Sequence, residues 1–306
     1  MSTTTVSGSE ATAESQYQAA LAVVRSPAFR DATAPDKQEM LWNFISGSPY
    51  RVLPPPHTSS FGGMRRLASR KLLRSAWLDD DVRPPRTKTF HAFGTVAKVR
   101  FAAAGEHPFT GIFASGAVGF MRASLASGMP KYSPAAAFKF LIDGPRPSEN
   151  LLLLPSFDMQ TSRDFFERAP TNRTIPPVVF PNTIVVPLMQ RWTTSISHPT
   201  EIQRLDHLAE ISSDGSRVGD AVAPELIFLY ASDDVHNDPA TDEDFRTILA
   251  RIPPGTLLYR VYARTPPSET QIHVGSITTE SSFVASEFGD RILALKHAWG
   301  SPDPPA

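Results

Sequence analysis

Cysteine is absent from the 306 residues, which removes disulfides, thiolate nucleophiles, thiolate haem ligation and cysteine zinc sites together. Long apolar runs are missing too, and no segment approaches the ~20 residues needed to span a bilayer. Neither sign of charge dominates. Thirty Lys and Arg oppose 31 Asp and Glu, a balance that offers no overall field for nucleic acid. The opening Met-Ser-Thr-Thr-Thr-Val-Ser-Gly-Ser-Glu has neither the basic start nor the apolar stretch of a signal peptide. Residues 1–16 read as a flexible tail, and the cysteine-free composition fits a cytoplasmic protein.

Familiar catalytic signatures are missing as well. The chain has no Gly-x-Ser-x-Gly elbow, Walker loop, Gly-x-Gly-x-x-Gly or His-Glu-x-x-His, and its eight histidines are scattered without paired metal spacing. The acidic loop Ser232-Asp-Asp-Val-His-Asn-Asp238 lacks the ordered ligands and closing glutamate of a calcium loop, and reads as an exposed segment leading to a helix.

What the chain does have is a series of strand-like segments, several carrying one polar residue out of keeping with its neighbours. In Thr89 to Phe101, alternation places His91 with Phe93, Ala97, Val99 and Phe101, while Lys98 and Arg100 point the other way. In Ala117 to Leu125 neither face is plainly polar, so Arg122 is expected to be partly buried and to need a carboxylate, a phosphate or several carbonyls. Ala135 to Ile142 runs into the turn Asp143-Gly144, and Asn150 abuts the apolar strand Leu151 to Leu154. Each polar residue has two readings. His91 is a hydrogen-bonded core imidazole or a proton carrier, Arg122 a structural ion-pair partner or a ligand anchor, and Asn150 a turn cap or a site residue.

Their order in the chain resembles the catalase superfamily, best over Thr89 to Pro155. The likeness rests on His-Ala followed by Gly, on Val118 to Ser124 with its arginine, on Ala-Phe-Lys-Phe with Asp-Gly, and on Asn150 ahead of its strand. A weaker likeness returns at Ile272-His-Val-Gly-Ser-Ile277 and at Arg291 to Trp299, which look like the last two barrel strands. The resemblance implies haem, with His91 and Asn150 on its distal side and Arg122 at a propionate. A hydroperoxide, hydrogen peroxide or a lipid hydroperoxide, would then be the substrate, His91 relaying its proton and Asn150 holding its oxygen.

The family's iron ligand is a tyrosinate with arginine four residues before it. None of Tyr17, Tyr50, Tyr132, Tyr230, Tyr259 or Tyr262 has that arginine, and the residues after Trp299 read Gly-Ser-Pro-Asp-Pro-Pro-Ala. If haem is bound, the remaining donors are His297, His273, Tyr259 and Tyr262, a tyrosinate needing a cation such as Arg260 or Arg264 nearby. Tyr259 and Tyr262 are three apart, so at most one faces inward. The competing expectation is a haem-free barrel that binds a small apolar molecule or serves as a docking scaffold.

The expected fold is α+β: a closed antiparallel barrel of roughly eight strands with N-terminal helices and helical insertions, an open sandwich being the alternative. Residues 17–86 form the helical part, with helices around Tyr17 to Val24 and from Asp36 to Ile45, closed by Gly47. A basic helix near Met64 to Leu78 follows the proline connector Pro54 to Pro56. Residues 87–306 form the barrel, with a helix at Ser162 to Arg168, strands near Val178 and Ile184, and a helix starting at Ser197. Further on come a mobile loop over 212–224, strands at Glu225 to Ala231 and Thr256 to Arg264, and a helix between them from Thr241 to Arg251.

Overall fold

The computed structural model describes residues 8–54, 93–128, 131–144, 148–155, 192–195, 206–210, 212–224, 226–232, 235, 244–265 and 267–293. Three helices come first: α1 (Gly8–Val24), α2 (Pro27–Arg30) and α3 (Ala34–Ser46). Local signals set their ends. Ser26 caps α2 through the Phe29 amide, Thr33 caps α3 through the Asp36 amide, and Gly47 closes α3 where the sequence placed its stop. The expected helices at 64–78 and 162–168, the strands near 178 and 184, and the helix start at 197 lie outside the described residues.

Eight strands follow: β1 (Gly94–Ala103), β2 (Ala117–Gly128), β3 (Lys131–Leu141), β4 (Ser148–Pro155), β5 (Trp192–Ser195), β6 (Leu226–Ala231), β7 (Leu257–Arg264) and β8 (Ile272–Thr279). Among the described residues, four short helices intervene or follow: α4 (Ile112–Ser115), α5 (Asp206–Glu210), α6 (Phe245–Ala250) and α7 (Glu287–Arg291).

The expectation of a closed barrel is corrected. The structure supports a curled half-barrel of six antiparallel strands, in the order β3-β2-β1-β8-β7-β6. Pairing does run on from β3 to β4 and from β6 to β5. Between β4 and β5, however, it consists only of Leu154 with Thr193 and Pro155 with Trp192. Proline has no N–H to give a ladder, and the four residues of β5 reach only about 13 Å at ~3.3 Å each. A barrel wall needs continuous pairing along its strands, and this join does not supply it. Nor is the fold a two-sheet sandwich, since one sheet curls round the core. Of the expected strand Arg291 to Trp299, Arg291 instead ends α7 and Ile292 is its C-cap, Leu293 makes a β-bridge, and residues 294–299 lie outside the described residues.

The two faces of the curled sheet bury different partners. Inside, Ala97, Val99 and Phe101 of β1 meet Met121, Phe138, Phe140, Leu229, Tyr259, Val261 and Val274. Phe109, Phe113 of α4, Leu208 of α5 and Phe245 of α6 join the same cluster. Outside, Val118 and Phe120 of β2 pack under Leu41 and Ile45 of α3, Ala20 of α1 and Phe288 of α7. The alternation expected for β1 holds over its described length. Arg100 is exposed and paired with Glu280, and Lys98 reaches Glu39 of α3 at 2.6 Å with its ammonium over Trp42.

Polar groups fix α3 on the sheet. Lys37, fully buried, donates to the carbonyls of Ile142 and Gly144 at 2.6 and 2.5 Å, while Asp143 accepts from the Ala34 amide. The Asp143-Gly144 turn read in the sequence is thus a clamp on the start of α3. Gln38 donates to the Gly119 and Val99 carbonyls at 2.7 and 3.3 Å. The segment 212–224 contains a turn in which Asp214 accepts from Ser212 and Ser216. Those bonds hold its carboxyl down at about 2.

Candidate functional site

Arg122 is the predicted site residue with the most developed surroundings. On β2 it alternates with Met121 and Ala123, which face the inner core, and so joins Val118 and Phe120 on the outer, helix-covered face. There its Nη2 and Nε donate to Asp290 Oδ1 of α7 at 2.5 and 3.2 Å. Side-chain exposure is 4% for Arg122 and 2% for Asp290, so both charges are almost fully withdrawn from water. The same Oδ1 accepts the Gly94 amide of β1 at 3.0 Å. Glycine is needed there, because a Cβ on Gly94 would stand 2.9 Å from the Arg122 guanidinium carbon and 2.5 Å from the Ala123 carbonyl.

Tyr50 lies beside this cluster, close enough to feel the Asp290 carboxylate. Burial first, then the Asp290 carboxylate, push its hydroxyl far above the usual tyrosine range, so it stays protonated. The backbone brings these groups together deliberately. Ser286 caps α7 through the Gly289 amide, and the Ser48 carbonyl and hydroxyl accept the Glu287 and Phe288 amides. Tyr50 N donates to the Ala285 carbonyl at 3.1 Å, and the Phe44 and Phe288 rings stack at 5.3 Å. Chemically the cluster is a carboxylate oxygen held by a guanidinium and a backbone amide.

The other predicted residues are dispersed. His91 and His297 lie outside the described residues. Asn150 is on β4, in register with Lys139, itself opposite Phe120 of β2. Tyr259 is fully buried in the inner cluster, edge-on to Phe138 at 6.3 Å, and burial raises its hydroxyl well above the usual range. Tyr262 and His273 stand on the opposite face, ring centroids 5.1 Å apart, with Tyr230 edge-on to Tyr262 at 5.4 Å. The structure therefore joins Tyr262 with His273 and leaves Arg122 and Tyr259 on opposite sides of the sheet.

Two of these positions are engaged within the chain itself. Tyr259 is packed among the inner-core rings, and Arg260, the cation expected beside a tyrosinate, is exposed on the other face. The guanidinium matched to a propionate is already bonded to a carboxylate of the chain. Among the described residues, no group of three histidine, aspartate or glutamate side chains could hold a metal ion. No helix among them is long and apolar enough to cross a membrane.

Asp290, Tyr50, Lys37 and fully buried Lys139 were missed in the sequence. The need of a buried guanidinium for a carboxylate was visible, but its partner lies 168 positions away. Compared with models of protein families, with curated proteins and with solved structures, the chain matches none.

Proposed function

We propose that this chain is a haem-free scaffold, a curled sheet of catalase-like pattern that presents surfaces to partners and carries out no peroxide chemistry. The observation that carries this reading is the buried bond of Arg122 to Asp290: the position matched to a cofactor carboxylate is bonded to one of the chain's own. The packing of Tyr259 against Phe138 in the closed inner core supports it from the other side of the sheet. Binding of a small apolar molecule is the weaker alternative, because Phe101, Phe138, Phe140 and Tyr259 already pack ring to ring inside the curl. The outer face, half covered by helices, supports docking instead.

Haem titration of the purified chain tests the proposal. The expected outcome is a spectrum no different from haem with an unrelated protein, and no peroxide consumption above that of free haem. A saturable 1:1 complex with a shifted Soret band, lost in a His91→Ala or Tyr262→Phe variant, would overturn it and restore the peroxide-processing reading.

A further inference from the structure

We propose that the outer face of β6, β7 and β8 is a docking surface for an extended, carboxylate-bearing segment of a partner protein. The inference rests on the scaffold reading and says where the partner binds. Over β1 to β3 the outer face is sealed by α1, α3 and α7. Over β6 to β8, among the described residues, it carries aromatic side chains instead: Phe228, buried with the Arg264 guanidinium over its ring, and the partly buried Tyr230, Tyr262 and His273, ring to ring at 5.4 and 5.1 Å. Inner neighbours Leu229, Val261 and Val274 belong to the core, so alternation fixes these rings on the outside.

Arg260 stands at the middle of this face. It is exposed, lies directly opposite Tyr230 on β6 and opposite Ser276 on β8, and has no ion pair among the described residues. Its flanking cations differ: Arg264 is bonded to Glu269 and Arg100 to Glu280. Arginine and tyrosine dominate the energetic centres of interfaces, since both present large, stiff, amphipathic surfaces. A guanidinium with no ion pair among the described residues selects a carboxylate, and the rings beside it offer surface to the methylenes of a glutamate side chain. A polyphosphate chain suits the face less well, because Glu269 and Glu280 stand at its rims and the chain's net charge is −1.

The test uses the full chain and a fluorescein-labelled decaglutamate peptide, with decaglutamine and decauridylate as comparison probes, read by anisotropy. Saturable, salt-weakened binding of decaglutamate is expected, at least tenfold weaker in Arg260→Glu and several-fold weaker in Arg260→Gln and His273→Ala. Arg217→Glu makes the same charge change on an exposed loop and should leave affinity within twofold. The inference falls if decaglutamate does not saturate, if decaglutamine or decauridylate binds as well, or if Arg217→Glu weakens binding as much as Arg260→Glu. A haem spectrum on the same preparation separates the two ideas: a haem complex sinks the scaffold reading, whereas failure of peptide binding without a haem complex sinks the docking surface alone.

Discussion

Replacing Asp290 by alanine is the sharpest perturbation the fold allows. Breaking one side of a buried ion pair costs about 3–5 kcal/mol, because the surviving charge keeps its desolvation penalty without its partner's field. At 4% exposure Arg122 has almost no solvent to recover that loss. The Gly94 amide also loses its acceptor, which counts within the same range because both bonds end on one oxygen. Asp290→Asn keeps an acceptor oxygen and should lose less. Arg122→Met should lose about 3 kcal/mol, the low end of the range, since the Gly94 amide still donates to the carboxylate.

The double variant Arg122→Met with Asp290→Leu removes both charges and both desolvation penalties. It should lie within about 1–2 kcal/mol of the parent, giving a coupling energy of at least about 3 kcal/mol. Guanidinium unfolding followed by tryptophan fluorescence reads this directly, because Trp42 of α3 stacks 6.4 Å from Phe120, the neighbour of Arg122 on the outer face. A loss below about 1 kcal/mol for Asp290→Ala, or a double variant equal to the sum of the Arg122→Met and Asp290→Leu singles, would refute the reasoning.

Other perturbations test other parts of the fold. Tyr259 keeps its proton in the folded chain while the unfolded phenol ionises near pH 10, so its contribution is full below that pH and is lost above it. Stability should fall by about 1.4 kcal/mol per pH unit above roughly pH 10, Tyr50 adding in the same direction, and Tyr259→Phe should flatten the slope. Gly94→Ala should cost roughly 1–3 kcal/mol by driving a methyl into the Ala123 carbonyl and the Arg122 guanidinium, visible as a lowered unfolding midpoint. Asp214 sits below its unfolded value, so its turn should hold from neutral pH until the pH falls through about 2, as amide shifts of 212–216 would report.

Much of the sheet was legible because alternation in single strands is a local property. Ala97, Val99 and Phe101 inside with Arg100 outside could be read from β1 alone. The Gly47 stop of α3 and the Asp143-Gly144 turn were legible for the same reason. What could not be read was the join between β4 and β5, because a closed and an open sheet share the same strand pattern and differ only in long-range pairing. The face of Arg122 was equally hidden. A strand apolar on both sides does not say which side is covered by helices, and α1, α3 and α7 are remote in sequence from β2. The docking face was invisible for a related reason: Arg260 and Tyr230 become neighbours only through strand register.

The same pairing explains why a charged cluster holds α7 at all. Well-packed apolar side chains would stabilise this face as well as an ion pair does, so net stability is not its distinguishing contribution. What an apolar pair lacks is a single correct position. Asp290 Oδ1 is the one atom on which a β1 amide and a β2 guanidinium meet. Sliding α7 by one residue would bring Gly289, with no acceptor, or Arg291, with the wrong sign, to that point. A five-residue helix has too few contacts to resist such a slide through packing alone. The pair therefore fixes where α7 ends, and with it the boundary between the sealed and open halves of the outer face. The charge-free double variant should accordingly remain folded yet lose registry. Amide exchange at Phe288, Ile292 and Leu293, now bonded to Ser48 and Phe288, should quicken more than tenfold while the β7 and β8 amides keep their parent rates. Parent-like protection throughout α7 in that variant would show that Phe288 and its neighbours set the register without the charges.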